Sequence, residues 1–283
     1  MKFHEKPAIY VGEVQLKVSD LEKSTRFYTE VVGLSIKNQS ESKVSFTTNG
    51  KDTLLTIMEP KGVQSKKEQT TGLYHFALLL PNRADLAQVV RHFIELGVRF
   101  GSGDHLVSEA LYLADLDGNG IEIYVDRDSN KWTWENGQVA MTTEPVDFES
   151  LLKEQPVSSW QGLPKNTMMG HVHLQVNNLE ENERFYVDGL GFSVVNRYGT
   201  AALFISDYYY HHHIAFNTWA GRHIRHAKKT ETGLAAYTIV FPSEEIRDDK
   251  IAGLKDIGVT VFEENGSFFT YDPSHTKICL IVD

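Results

Sequence analysis

The chain repeats itself, and that constrains its fold more than any single motif does. Residues 12–36, GEVQLKVSDLEKSTRFYTEVVGLSI, align without a gap to residues 170–194, GHVHLQVNNLEENERFYVDGLGFSV. Eleven of the twenty-five positions are identical, including the Arg-Phe-Tyr of 26–28 and 184–186. A second pair of segments also matches, GLYHFALLLP at 72–81 and GLAAYTIVFP at 233–242. Each leads into a helix-like stretch ending in Leu-Gly-Val (96–98) or Ile-Gly-Val (257–259), then into DLDGNGIEIYVD or DPSHTKICLIVD. Self-similarity of this kind means that each copy is one supersecondary unit. The chain therefore divides into four modules, at 8–60, 72–127, 168–220 and 232–283.

Within a module, VQLKV and VHLQV alternate apolar and polar residues, the period of a half-buried strand. Ser19-Asp20-Leu21-Glu22 then supplies a capping start, with Leu21, Ser24/Thr25 and Tyr28 at helical spacing. Gly33 or Gly191 ends that helix. Short β-rich segments follow, KVSFTTNG and TLLTIMEP, with Asn49-Gly50 as a turn. The unit reads βαβββ. One such unit cannot cover both faces of its own sheet, so modules must pair. Residues 128–167 belong to no module. They hold a capped helix candidate, VDFESLLKEQ, and form a crossover expected to be packed down by Trp132, Trp134 and Trp160.

Composition narrows the function. At 283 residues the chain is one large domain or two ordinary ones, and 41% hydrophobic with 23% charged residues is globular usage. The net charge is −10, from 28 basic and 38 acidic residues, a sign that repels phosphate backbones and anionic headgroups. Nucleic acid and membrane surfaces are poor partners. Cys279 is the single cysteine, which excludes an intrachain disulfide and any multi-cysteine zinc site. MKFHEKPAIY carries no apolar stretch of signal-peptide length, so a cytoplasmic protein is expected. Cys279 lacks a paired base and no Gly-x-Ser-x-Gly turn occurs, so nucleophilic catalysis has no support. DGNG at 117–120 reads as a hairpin turn, not a phosphate loop.

Four βαβββ modules carrying GHVHLQVNNL…RFYVDGLGF, GLYHFALLLP, DLDGNGIEIY and YHHHIAFNTWAG resemble the vicinal oxygen chelate superfamily, the glyoxalase, bleomycin-resistance and extradiol dioxygenase group. The branch they most resemble is that of the bacillar catechol-2,3-dioxygenase-like proteins. The resemblance covers all four modules and leaves out mainly the crossover. It implies an α+β fold in which the modules pair into two cupped eight-stranded mixed sheets, with a divalent metal in a cup. Ligands in that scheme come from the first and last strands of a module. The first-strand positions are Glu13, His75, His171 and Ala236. The last-strand positions are Glu122 in module two, Cys279 in module four, and His211 or His213 in module three, with His213 preferred. Module one offers no convincing last-strand donor.

The donors decide which modules should pair. Modules two and three together would place His75, Glu122, His171 and His213 in one cup and leave Glu13, Ala236 and Cys279 in the other. The sequential pairing, one with two and three with four, is the superfamily default and would leave two half-sites. The complete set favours the two–three pairing. Two imidazoles and a carboxylate on one face, with open positions beside them, suit non-haem iron(II) oxygen chemistry.

Each candidate also has a structural alternative. His75 lies in an apolar strand, where a lone histidine is ordinarily a satisfied core group. Glu122, between Ile121 and Ile123, changes that, because unpaired burial of a carboxylate is costly and a metal would satisfy both. His171 and His173 are two apart and share a face. His171 is taken as the ligand and His173 as an acid–base or substrate contact. Strand alternation puts His211 and His213 on one face and turns His212 away, with a polar strand edge as the alternative. His173 or His211 would be the catalytic base. Glu13 is expected to line a cup or join a salt bridge. His105 borders the cup or lies on the surface, and His4, His92, His223, His226 and His275 read as surface groups. Tyr10, Tyr237 and Tyr271 read as packing residues.

The resemblance implies an extradiol-type ring-cleaving dioxygenase for a catechol-like diol, using Fe(II) or Mn(II) and O2. A glyoxalase-like lyase or isomerase on a dicarbonyl-type substrate, with Ni(II), Co(II) or Zn(II), is the first alternative. A non-enzymatic protein sequestering a small molecule is the second. A homo-oligomer is compatible with either enzyme.

Overall fold

The computed structural model describes residues 3–154 and 159–283. Gln155, the end of the predicted crossover helix, lies outside them. Module one supplies β1 (Tyr10–Lys17), β2 (Ser35–Gln39), β3 (Lys43–Thr47) and β4 (Leu55–Met58). Module two supplies β5 (Gly72–Leu80), β6 (Gly101–Asp104), β7 (Ser108–Ala114) and β8 (Gly120–Asp126). The crossover holds a small hairpin, β9 (Trp134–Glu135) and β10 (Gln138–Val139). Module three gives β11 (Met168–Gln175), β12 (Ser193–Tyr198), β13 (Ala202–Ser206) and β14 (Ile214–Asn217). Module four gives β15 (Gly233–Phe241), β16 (Val261–Glu264), β17 (Ser267–Tyr271) and β18 (Lys277–Val282).

Each α-helix starts at a capping side chain, at Asp20 and Asp147 as the sequence predicts. Asp20 accepts the Lys23 amide at the head of α1 (Leu21–Arg26), and Asn82 accepts the Asp85 amide at α2 (Arg83–Leu96). Asp147 caps the one-turn α3 (Phe148–Leu151) of the crossover. Asn178 caps α4 (Leu179–Glu183), and Ser243 caps α5 (Glu244–Asp256). The repeated Arg-Phe-Tyr has a structural expression of its own. After α1 and α4 the chain widens into a π-helical turn, Phe27–Val31 or Arg184–Gly189. Each turn buries a tyrosine: Tyr28 donates to Asp115 at 2.8 Å, and Tyr186 to Asp272 at 3.0 Å. Sequential modules are thus stitched together behind the sheets.

The sheets themselves pair differently. One runs β12-β13-β14-β11-β5-β8-β7-β6, joining modules two and three, and the other runs β16-β17-β18-β15-β1-β4-β3-β2, joining one and four. At the centre of the first, β11 pairs antiparallel with β5, and at the centre of the second β1 pairs antiparallel with β15. The apolar faces of both sheets and the inner faces of the helices share one core, including Leu16, Phe46, Phe76, Phe93, Phe216 and Phe241. Full burial of a side chain of that size contributes roughly 1.5–3 kcal/mol. The opposite, concave faces are left free to build sites.

The crossover is held down by its tryptophans. Trp132 stacks on Phe3, and Trp160 stacks on His92 with ring centroids 4.0 Å apart. A Cβ on Gly33 would come within 2.5 Å of the Trp160 ring, and Gly33 has φ +89°, so both packing and backbone require glycine there. Phe3 and His4 are also buried, His4 donating from Nε2 to the Gly170 carbonyl at 2.8 Å. His4 and His92 are therefore not surface groups: each fills an aromatic contact that local sequence does not show. Among the described residues no helix is long and apolar enough to cross a membrane.

Candidate metal centre

Register in the two–three sheet brings the donors together. His171 on β11 lies opposite Ala77 on β5, and Ala77 lies opposite Glu122 on β8. His75 is two residues before Ala77 and so shares its face. Two long side chains on the outer strands thus lean over an alanine, with a third beside them. His75 Nε2 is 3.0 Å from Glu122 Oε2, His171 Nε2 is 3.2 Å from the same oxygen, and the two nitrogens are 3.4 Å apart. All three residues are buried.

These distances suit a shared cation. Donors about 2.1 Å from one ion lie ~3.0 Å apart at right angles and ~3.4 Å apart at the tetrahedral angle. The chemistry agrees with the geometry. Burial lowers the His171 pKa to about 4, which keeps the imidazole neutral and its lone pair available. Burial alone would raise Glu122, but His171 and His75 outweigh it and hold the carboxyl well below its usual range. Two imidazoles and a carboxylate aimed at one point, walled by protein, would leave their lone pairs in conflict without a proton or a metal between them. The residues fit a divalent metal.

A cavity of about 500 Å³ opens beside this point. His75 and Glu122 reach it, together with Tyr112, His173 and His212. Its outer wall is the crossover, at Met141, Thr142 and Thr143. The latch is His105. Its Nδ1 donates to the Thr142 carbonyl at 2.7 Å, which leaves Nε2 to accept from the Tyr112 hydroxyl at 2.6 Å. Burial and the neighbouring Glu122 carboxylate keep that phenol protonated. His105 thus borders the cup and is not a surface group. Tyr74, Tyr198 and Trp219 stand exposed at the mouth.

The three adjacent histidines are placed differently from the alternation argument. His213 does not join His75, Glu122 and His171: its Nε2 donates to the Phe3 carbonyl at 2.9 Å, and its Nδ1 accepts the Asp207 amide at 3.2 Å. His211 is buried outside the cavity lining and donates from Nε2 to Asp126 at 2.8 Å. His212 faces inward, its ring 4.0 Å from that of His171. The physical reason is local. Tyr208 and Tyr209 both take left-handed backbone, with φ +57° and +61°, and β14 begins at Ile214, so no extended strand runs through 211–213. Alternation has no meaning there.

The contacts of His211 and His212 are met by one pair of tautomers when both rings are neutral. His211 Nε2–H is committed to Asp126, so its Nδ1 accepts, and His212 Nδ1–H donates to it at 2.8 Å. The spare lone pair of His212 lies on Nε2. His173 Nε2 accepts the Asn217 side-chain amide at 3.0 Å. Burial depresses the pKa of both His173 and His212 well below the ordinary histidine value. Alternation along the sequence turns His212 away and gives no place to Asp126 or Tyr112. The signal for Asp126 is its place on β8, four residues after Glu122 and so on the same face.

In the other cup Glu13 accepts hydrogen bonds from Thr56 and Gln15, while Ala236 and Cys279 add no second strong donor beside it. Burial raises the Cys279 thiol pKa. Among the described residues, His75, Glu122 and His171 are the one cluster of three side chains placed so that they could hold a metal ion.

Comparison with known proteins agrees with this architecture. The family model for the Glyoxalase/Bleomycin resistance protein/Dioxygenase superfamily matches residues 10–123 and 168–280, and the chain belongs to that superfamily. Within it, the chain is 42% identical over 267 residues to a catechol-2,3-dioxygenase of Bacillus subtilis (strain 168), covering 93% of this chain and 94% of that protein. A biphenyl-2,3-diol 1,2-dioxygenase 3 of Rhodococcus globerulus is 25% identical over 114 residues, 39% of this chain and 60% of that one. A solved Bacillus subtilis structure, provisionally described as a dioxygenase, superposes with TM-score 0.69 at 12% identity, covering 98% of this chain and 86% of that one. Glyoxalase I from Zea mays superposes with TM-score 0.56 at 13% identity, covering 96% and 92%. The two solved structures show a shared fold.

Proposed function

We propose that the protein is an extradiol-type ring-cleaving dioxygenase acting on a catechol-like aromatic diol, with Fe(II) held by His75, Glu122 and His171. The observation that carries this reading is the convergence of two imidazole nitrogens and one carboxylate oxygen, 3.0–3.4 Å apart, at the wall of a cavity of ring-binding size. The similarity to a catechol-2,3-dioxygenase over most of the chain supports it. When bound, the metal supplies adjacent sites for the diol oxygens and O2 and a path for electrons between them. The carbon–carbon bond beside the diol breaks, both atoms of O2 enter the product, and no external reductant is needed.

The chain's own groups handle the proton and the ring. His212, with Nδ1–H tied to His211 and Asp126, offers Nε2 to take a diol proton and return it at ring opening. His173, oriented by Asn217, is a second imidazole at the cavity wall. His211 acts behind His212 as a positioning residue. Tyr112, held by His105, offers its hydroxyl beside the Glu122 carboxylate. The crossover at Met141–Thr143 screens the site from water.

A glyoxalase-like lyase is the alternative reading, and a fourth protein ligand, His213, would suit it. With His213 committed to Phe3, three donors remain, which favours the open coordination that O2 and a diol need. Anaerobic reconstitution with Fe(II), then catechol and air, tests the proposal. Oxygen uptake and a coloured ring-fission product are expected. No uptake by metal-loaded protein overturns it.

A further inference from the structure

The chemistry of the cavity wall speaks to which diols the site accepts. Among the described residues that line it, none is a lysine or an arginine. Glu122 is the one carboxylate, and it belongs to the metal set. The rest of the wall is four imidazoles, His75, His105, His173 and His212, with tyrosines and apolar or amide groups such as Val107, Ile121, Met141 and Asn196. The mouth is aromatic, Tyr74 and Trp219 meeting edge-on at 5.2 Å. Arg222, three residues beyond Trp219, is exposed and donates to the Thr200 carbonyl. Arg197, on the strand that carries Asn196 and Tyr198, pairs with Glu183. Arg127 and Arg83, the cations near β7, are held by Asp104 and Glu109.

Size adds a second constraint. A cavity of about 150 Å³ is enough for benzene, whereas this one holds about 500 Å³. A bare diol leaves most of that space to water against apolar walls. A ring with an apolar substituent covers more of those walls.

Resting on the dioxygenase reading, we infer that the site selects neutral catechols with an apolar ring substituent and rejects catechols that carry a carboxylate. A carboxylate carried past Tyr74 and Trp219 would be buried without a lysine or arginine to pair with, beside a wall already holding Glu122. Unpaired burial of a charge is among the heaviest penalties a binding site imposes. The net charge of −10 works the same way at longer range, slowing the approach of anions.

The test uses two near-isosteric compounds, 4-ethylcatechol and 3,4-dihydroxyphenylacetate, which differ in a methyl against a carboxylate. With Fe(II)-loaded protein, kcat/KM is measured in air and Kd anaerobically, where no turnover contributes. Both should favour 4-ethylcatechol by about a hundredfold or more. Met141→Arg, which puts a cation on the wall, should shrink that ratio, and Arg222→Gln should leave it unchanged. Comparable Kd values for the two compounds overturn the inference, as does a collapse of 3,4-dihydroxyphenylacetate binding in Arg222→Gln. Failure of both compounds to bind overturns it as well. Tight binding of 4-ethylcatechol alone, without cleavage in air, upholds the charge selection and overturns the dioxygenase reading.

Discussion

The two cups are built on one plan and differ at a few side chains. By the repeat, His171 corresponds to Glu13, His75 to Ala236 and Glu122 to Cys279. A fourth difference is less visible. Ala77, the floor between His171 and Glu122, corresponds to Thr238, whose hydroxyl accepts the Glu13 amide at 2.7 Å. The candidate metal cup thus has three donors above a methyl group, and the other has one strong donor above a branched, hydrogen-bonded side chain. A site in this fold needs the donors and also a vacancy for what they hold.

The largest test of that contrast is removal of equivalent donors. His75→Ala or Glu122→Gln should lose metal affinity well beyond the ~10–100-fold that replacing an outer-shell partner costs. Glu13→Gln, on the other cup, should leave metal content unchanged. Metal analysis after gel filtration decides it, and loss of metal in Glu13→Gln would erase the distinction between the cups.

How much of this contrast is legible in sequence depends on the backbone. His75, Glu122 and His171 sit in regular strands inside repeated segments, so position in the repeat locates them and the pooling of donors indicates which modules pair. Ala77 is legible too, but only once register is known, because its role is to be small at one level across three strands. His212 is not. Its orientation follows from two left-handed tyrosines, a conformation ordinarily left to glycine or asparagine. His4 and the Met141–Thr143 wall are set by contacts more than a hundred residues away or across an irregular crossover, where no periodicity operates.

Acid should affect the two halves in opposite directions. His4, against Gly170 of the metal sheet, has its pKa lowered by burial from 6.5 to about 4. The folded state there binds fewer protons than the unfolded chain, so its contribution is present above pH 6.5 and is lost as pH falls through 4. Asp272, in the turn leading to β18 of the other sheet, has its pKa raised by burial from 3.8 to about 6. Its contribution is present below pH 3.8 and is lost as pH rises through 6. Each gap corresponds to about 3 kcal/mol. Between pH 4 and 6, His4→Phe should flatten the loss of stability on acidification, whereas Asp272→Asn should steepen it. Denaturant melts at several pH values, with hydrogen exchange of β11 and β18, would show both. Parallel behaviour of the two variants would contradict the assignment.

A subtler exchange probes the floor. Ala77→Thr gives the metal cup the side chain of its counterpart, crowding the space between His171 and Glu122 and offering them a competing hydroxyl. Metal affinity should fall by about 10–100-fold, as for disturbed outer-shell contacts. Thr238→Ala should change no metal property. If Ala77→Thr binds metal normally, the donors alone define the site and the vacancy argument fails.

The smallest effect is expected at Cys279, the counterpart of Glu122. Its thiol is half-buried on β18 opposite Phe269, with a pKa raised by burial, so it behaves as a small apolar group and not as a thiolate. Cys279→Ala removes one sulfur from a partly open face, which should lower stability by about 1 kcal/mol or less and leave metal content and turnover unchanged. Cys279→Glu restores the carboxylate of the metal cup but leaves Ala236 without a donor beside it and Glu13 carrying a like charge nearby. Two carboxylates over a threonine floor are not two imidazoles and a carboxylate over an alanine. The variant should therefore bind no second equivalent of Fe(II), measured by metal titration against the unaltered protein. A second equivalent would mean that this fold supplies coordination from its scaffold with little help from the particular residues, and that the two cups differ by less than their side chains suggest.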